Sequence, residues 1–329
     1  MSSISNPLVG GSTGATLEAP PAPMHQTPPP EAVAPVVAAA VKAKGDLPYP
    51  GPFEILHQEV KGIMAQNYLI DGAKVSVSKP ISENFQVSHS LNMGGQNNYH
   101  FGVNYFGTPA PGIDSPSPVL IGDIDGQGNL MAQIQYMFSE RIKGKAVYQT
   151  QGANDMTSLE LEYRGNDFSA AVKAINPDVV SENGTWIANY WQSVTQRIAV
   201  GAEALYQYHE GMEDGGMSLG IRWKDDKCTS CVSLAPQGTF AVSYGHRVSD
   251  KVTLGVELEG SMASKDSVVN VGYEYNLRQS AVRGQIDSHG VVSGVLENKL
   301  APALSFLLTG QLDHASGKSM FGLGFVLGA

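Results

Sequence analysis

Residues 318–329 read KSMFGLGFVLGA, and this stretch decides the fold. Phe321, Leu323, Phe325 and Leu327 fall two apart, with Gly322 and Gly324 between them. Side chains on a strand point to alternate faces, so one face here is apolar and the other small. Such a strand at the end of a chain is a hazard unless something pairs with its free edge. A closed barrel removes the edge, because the last strand meets the first.

The same period runs back through the chain to Gly72. Val75 and Val77 alternate with Lys74, Ser76 and Ser78. Tyr99, Phe101, Val103 and Tyr105 alternate with His100, Gly102 and Asn104. Leu159, Leu161 and Tyr163 alternate with Glu160, Glu162 and Arg164. Val252, Leu254, Val256 and Leu258 flank Glu257 and Glu259. Turn pairs such as Asp125-Gly126, Gly165-Asn166, Asp214-Gly215 and His289-Gly290 separate the runs. The count comes to about nineteen runs, compatible with a membrane barrel. Many apolar faces end in Tyr or Phe, as an aromatic girdle at a lipid interface requires.

Composition agrees. Charged residues make up only 16% of the chain, and glycine is abundant at 37. Ordinary soluble domains carry about a quarter charged residues. No window reaches the ~18 consecutive apolar residues of a membrane helix; the nearest, 32–41, contains Pro35. A soluble sandwich or propeller would also alternate. Its inward face would be apolar and bulky, whereas the polar face here holds Gly, Ser, Asn and Gln. That suits a water-filled lumen. The expected fold is therefore all-β, a transmembrane barrel occupying 71–329.

Two segments precede it. Residues 1–48 are rich in Pro, Ala, Gly and Ser, bury too little to offset chain entropy, and read as a disordered tail. In 49–70, Phe53, Leu56, Val60 and Met64 recur at helical spacing, which predicts a helix over 53–64 packed on something by one side. The first residues lack the basic region and apolar core of a secretory signal, and the first arginine is Arg141. A barrel made without such a signal points to mitochondria or plastids.

Catalytic look-alikes dissolve on inspection. Gly-x-Ser-x-Gly occurs at 10–14 in the tail and at 216–220 on an alternating strand, without the strand-to-helix elbow it needs. Asp123-Ile124-Asp125-Gly126 resembles a calcium loop, but Ile134 stands where the closing glutamate belongs. Cys228 and Cys231 lack a second pair for zinc, and on a strand they point to opposite faces. The histidines show no ligand spacing. No enzyme activity, metal or cofactor is expected. The net charge of −10 leaves no basic stripe for nucleic acid and suits a basic partner.

The polar-face carboxylates are the candidate site: Glu160, Glu162, Glu203, Glu257, Glu259 and Glu274. They either solvate the lumen alongside Lys74, Lys143, Lys145, Lys173, Arg222 and Arg283, or attract a cationic passenger. Glu257, Glu259 and Glu274 are expected to form one patch.

Four stretches carry a resemblance: 48–60 (PYPGPFEILHQEV), 85–94 (FQVSHSLNMG), 190–203 (YWQSVTQRIAVGAE) and 271–300 (VGYEYNLRQSAVRGQIDSHGVVSGVLENKL). Together they resemble the channel-forming subunit of the translocase of the outer mitochondrial membrane, in its plant-like form. The resemblance implies a nineteen-stranded barrel of the mitochondrial porin superfamily, with strands 1 and 19 parallel and the N-terminal helix inside the pore. It implies passage of unfolded precursors with basic presequences. The implied partners are a receptor-like subunit, small single-helix subunits, a second copy of the chain and the lipid bilayer. It also implies a C-terminal insertion signal on Met320, Gly322, Phe325 and Leu327, with Met320 at a position usually polar. Within the superfamily, the alternative is an anion-preferring metabolite pore of the voltage-dependent anion channel type.

Overall fold

The computed structural model describes residues 47–95, 97–109, 115–152, 154–178, 183–209 and 211–328. The tail expected over 1–48 lies outside them, apart from its last two residues. Nineteen strands follow a short, irregular N-terminal segment. The first nine are β1 (Gly72–Ser82), β2 (Phe85–Met93), β3 (Asn98–Phe106), β4 (Val119–Asp125), β5 (Leu130–Ser139), β6 (Ile142–Gln151), β7 (Asn154–Arg164), β8 (Phe168–Asp178) and β9 (Asn183–Ser193). Next come β10 (Ile198–His209), β11 (Met212–Lys224), β12 (Cys228–Leu234), β13 (Thr239–Arg247) and β14 (Val252–Ser261). The last are β15 (Asp266–Asn276), β16 (Ser280–Asp287), β17 (Val291–Ala301), β18 (Leu304–Asp313) and β19 (Lys318–Gly328).

Each strand pairs antiparallel with the next, and β19 closes on β1 in parallel. An odd number of up-and-down strands forces that one parallel seam. Gly72 meets Gly322 and Val75 meets Phe325 across it. Every edge is thereby used, as the hydrocarbon of a bilayer demands.

Alternation sorts the side chains onto two faces. Ile134, Leu161, Leu219, Ile221, Val271 and Leu308 lie on the outer face and are open. In water such a belt would drive aggregation; against lipid it is the stabilising surface. Phe138, Tyr163, Tyr190, Trp223, Tyr244 and Tyr275 ring the rim where the odd strands end. Tyr99, Tyr148, Trp186 and Tyr206 ring the other. These two girdles are the interface aromatics that the period of two had suggested.

The segment before β1 departs from expectation. The continuous helix over 53–64 is absent. In its place are a 3-10 turn at Phe53–Ile55, one α-helical turn at Gln58–Lys61 (α1) and a second 3-10 turn at Ala65–Tyr68. A helix of four residues has no stability of its own. What holds this one is the wall beneath it.

Candidate functional site

The N-terminal segment, here called the strap, crosses the inner wall from β9 to β19. Ser193 on β9 donates to Pro48 O at 2.6 Å, and Arg222 on β11 donates to Pro50 O. At the far end, Ile70 N donates to Thr309 Oγ1 on β18 at 3.2 Å. Between these ties Phe53, Leu56, Val60, Ile63, Met64 and Ala65 are buried. Phe53, Leu56, Val60 and Met64 are the residues whose helical spacing had suggested a packed face, so the apolar pattern is right although the helix is not; Ile63 and Ala65 join them.

The wall under them is made of glycine. Gly201 pairs with Gly220 on neighbouring strands, and Gly245, Gly255 and Gly272 lie side by side across β13, β14 and β15. A Cβ on Gly220 would stand 2.7 Å from Phe53. One on Gly255 would stand 3.3 Å from Val60, Ile63 and Met64, and one on Gly272 2.8 Å from the Met64 sulfur. Glycine inside a strand otherwise weakens it. Here it lets the strap's apolar side chains reach the backbone of the sheet. Trp191, fully buried over Gly201, meets Phe53 edge-to-face at 5.4 Å. The seam repeats the device: Ile70 lies against Gly322 and Gly324.

Polar anchors run along the same path. The His57 ring nitrogens lie 2.8 Å from Ser243 Oγ and 2.9 Å from Ser233 Oγ. A neutral ring satisfies both, donating from one nitrogen and accepting at the other. Burial, then the Lys61 charge, hold the imidazole below its ordinary pKa, against an opposing pull from Glu259. Glu59 pairs with Lys224 and accepts from Thr229 Oγ1 at 2.9 Å. Gln66 and Gln285 exchange two bonds of 3.0 Å.

All six candidate carboxylates face the lumen, in four settings. Glu160 and Glu162 sit opposite Lys145 and Lys143, at 3.8 and 4.0 Å. Glu162 also accepts from the Tyr49 hydroxyl at 3.2 Å, and nearby Lys173 holds Glu54 of the strap at 3.2 Å. Glu203 stands between Asn189 and Ser218, with no cation within 4.0 Å among the described residues. Glu257 and Glu259 share Lys61 of the strap, at 3.5 and 3.0 Å. The longer contact is an ion pair without hydrogen-bond geometry, so Glu257 Oε1 has no hydrogen-bond partner. Glu257 is 1% exposed, sealed beneath the strap.

The single patch expected of Glu257, Glu259 and Glu274 does not form. Glu274 stands opposite Thr253, four residues along β14 from Glu257, a distance of roughly 13 Å. Glu274 instead joins Glu297 around Arg283, at 2.9 and 3.2 Å, and Arg283 stacks on Tyr68 of the strap at 4.1 Å. Strand spacing alone could not reveal this, because it does not fix how far one strand slides against the next. Lys61, Glu297 and the glycine track were missed, and Arg283 was named only as one lumen cation among several. The signal for the track was present: glycine recurring at strand centres marks a close backbone approach.

The lumen is therefore largely charge-compensated. Its negative excess sits where two carboxylates share one cation, at Lys61 and at Arg283, at Glu203, and at Asp123, whose partner is a histidine. The wall formed by β2 to β6 makes no hydrogen bond or ion pair with the strap among the described residues. It presents Ser88, Ser90, Asn104, Gln133 and the His100–Asp123 pair.

The family model for eukaryotic porins matches residues 49–322. The chain belongs to the eukaryotic porin family. Among its relatives, a mitochondrial import receptor subunit TOM40 homolog of Xenopus tropicalis is 37% identical, over 86% of this chain and 85% of the relative. The human TOM40 homolog is 36% identical over 88% and 81%. TOM40 homolog 2 of Drosophila melanogaster is 34% identical over 97% and 95%. These relatives, matched over most of the chain, mark a porin of the TOM40 type. These relatives are animal proteins. In this eukaryotic porin, Phe325 and Leu327 lie on the lipid face of β19, while Met320 and Gly322 face inward. Phe325 packs on Phe306 at 5.4 Å.

Proposed function

We propose that the protein is the protein-conducting channel of the mitochondrial outer membrane, passing unfolded, presequence-bearing precursors from the cytosol. One observation carries the reading: chain-long kinship with proteins named as mitochondrial import receptor subunits. Pore size agrees with it. Nineteen strands about 4.8 Å apart and tilted by about 40° give a backbone radius of about 19 Å. Side chains take about 5 Å from each wall and the strap about 10 Å more, leaving an opening of roughly 18 Å. An α-helix, about 10–12 Å across, passes; a folded domain does not.

A basic presequence meets a lumen whose negative excess includes Glu203, Glu259 beside the sealed Glu257, and the Glu274–Glu297 pair. Each partly exposed contact is worth at most ~1 kcal/mol and is screened by salt. That weakness permits release, because tight binding would plug the channel. Glu160 and Glu162 act mainly in holding the lysines and the strap. The insertion signal on Met320, Gly322, Phe325 and Leu327, and the subunit partners named above, belong to the same proposal. The relatives' names favour this role over the anion-preferring metabolite pore. The test is import: mitochondria depleted of their own channel and supplied with this chain should take up a matrix-targeted precursor. Restored metabolite conductance without import would reject the proposal.

A further inference from the structure

The strand β12 carries two cysteines that alternation sends to opposite faces. Cys231 faces the lumen and is buried under the strap. Cys228 faces outward with Val232 and Leu234, at the first residue of the strand and hence at the lipid–water rim. Its sulfur lies 2.8 Å from His246 Nδ1, directly across the β12–β13 pair. The Tyr244 hydroxyl, on the same face, donates to the same sulfur at 3.6 Å. The Tyr244 and His246 rings lie parallel within 4°, with centroids 6.4 Å apart. Nothing in the lumen's work uses this cluster.

We propose that Cys228 is an S-acylation site served by His246, taking a long-chain acyl group from an acyl-coenzyme A thioester. A thiol becomes nucleophilic as the thiolate, and a nitrogen base in contact with it supplies that form. His246 Nδ1 accepts the Cys228 proton, with Tyr244 steadying the thiolate by its hydrogen bond. The sulfur attacks the acyl carbonyl carbon, and the bond from that carbon to the coenzyme A sulfur breaks. The leaving thiolate takes the proton back from His246, so the products are a thioester on Cys228 and free coenzyme A. Nothing is oxidised or reduced. Placement selects the donor. A cysteine at the membrane boundary is where acyl chains are attached and retained. From Cys228 the chain would run down the outer wall past Val232 and Leu234 and bury its methylenes in lipid. The charges nearest in sequence are Asp225, Asp226 and Lys227 of the preceding turn and Arg247 beside the histidine; none of them makes the contact to sulfur described here.

The test uses the full-length barrel in phospholipid nanodiscs, incubated with palmitoyl-coenzyme A bearing a terminal alkyne. Expected is a hydroxylamine-sensitive label on the native chain, unchanged in Cys231→Ser and lost in Cys228→Ser. His246→Gln should slow labelling on the order of a hundredfold at neutral pH, the range general-base catalysis supplies. Its rate should recover toward native when bulk hydroxide makes the thiolate at alkaline pH, a recovery that a misfolded barrel would not show. The proposal falls if Cys228→Ser labels as fast as native, if His246→Gln is no slower, or if no thioester forms.

Discussion

Substituting leucine for Gly255 should lift the strap from the wall without opening the barrel. A Cβ there already stands at 3.3 Å from Val60, Ile63 and Met64, closer than side chains ordinarily approach. The remaining carbons have no space, because Gly245 and Gly272 on either side are covered by the same residues. Overpacking of this kind costs about 1–3 kcal/mol. The sheet keeps its ladder bonds, so the cost falls on the strap, the part that can move. A cysteine at Ser243, buried beneath the strap and touching His57, reports the change in a chain whose native cysteines are serine. If strap opening precedes labelling, a water-soluble thiol reagent should react about 5- to 150-fold faster in Gly255→Leu, the ratio that 1–3 kcal/mol sets. Equal rates in the two backgrounds, with the barrel assembled in both, would refute the glycine track as the strap's seat.

Other perturbations act on the same contacts. Lys61→Gln removes the one cation shared by Glu257 and Glu259, so reversal potentials across a salt gradient should shift toward cation preference, most at low salt. Glu257→Gln should disturb the strap more than Glu259→Gln, because Glu257 is sealed and Glu259 is half open; the Ser243 labelling rate ranks them. His57 has a lowered pKa when docked, so docking favours the neutral ring and is fully present above the ordinary value of about 6.5. Docking weakens as pH falls through that value toward the docked pKa, so labelling of the Ser243→Cys reporter, taken relative to a freely exposed cysteine at the same pH, should rise on acidification and lose that rise in His57→Gln. On β19, Leu323 is mid-strand and Phe325 nearer the rim. A charge costs about 2–4 kcal/mol at the bilayer midplane and less toward the interface. Leu323→Lys should therefore block membrane assembly of the imported barrel more completely than Phe325→Lys, as carbonate extraction would show.

The strands, their number and their two faces were legible because a barrel wall imposes one rule at every position. Residues such as Leu159, Leu161 and Tyr163 obey it whatever their partners are. The strap was legible only as an apolar pattern. Phe53, Leu56, Val60 and Met64 mark a buried face, but the shape of the backbone is set by glycines some 150 to 220 residues downstream. The helix predicted over 53–64 breaks into turns because the groove, and not local propensity, supplies its stability. The carboxylates were legible as lumen residues and illegible as a site. Whether Glu274 meets Glu257 or Arg283 depends on strand register, and whether Glu257 meets water depends on the strap.

The central claim is that precursor chains travel through this lumen, and a photo-crosslinker placed one residue apart on the uncovered wall tests it most directly. Gln133 faces the lumen and its neighbour Ile134 faces lipid. With a precursor arrested during import, the account requires crosslinks from position 133, and from Glu203, but not from 134. Crosslinks to the precursor from 134 and none from 133 or 203 would contradict it.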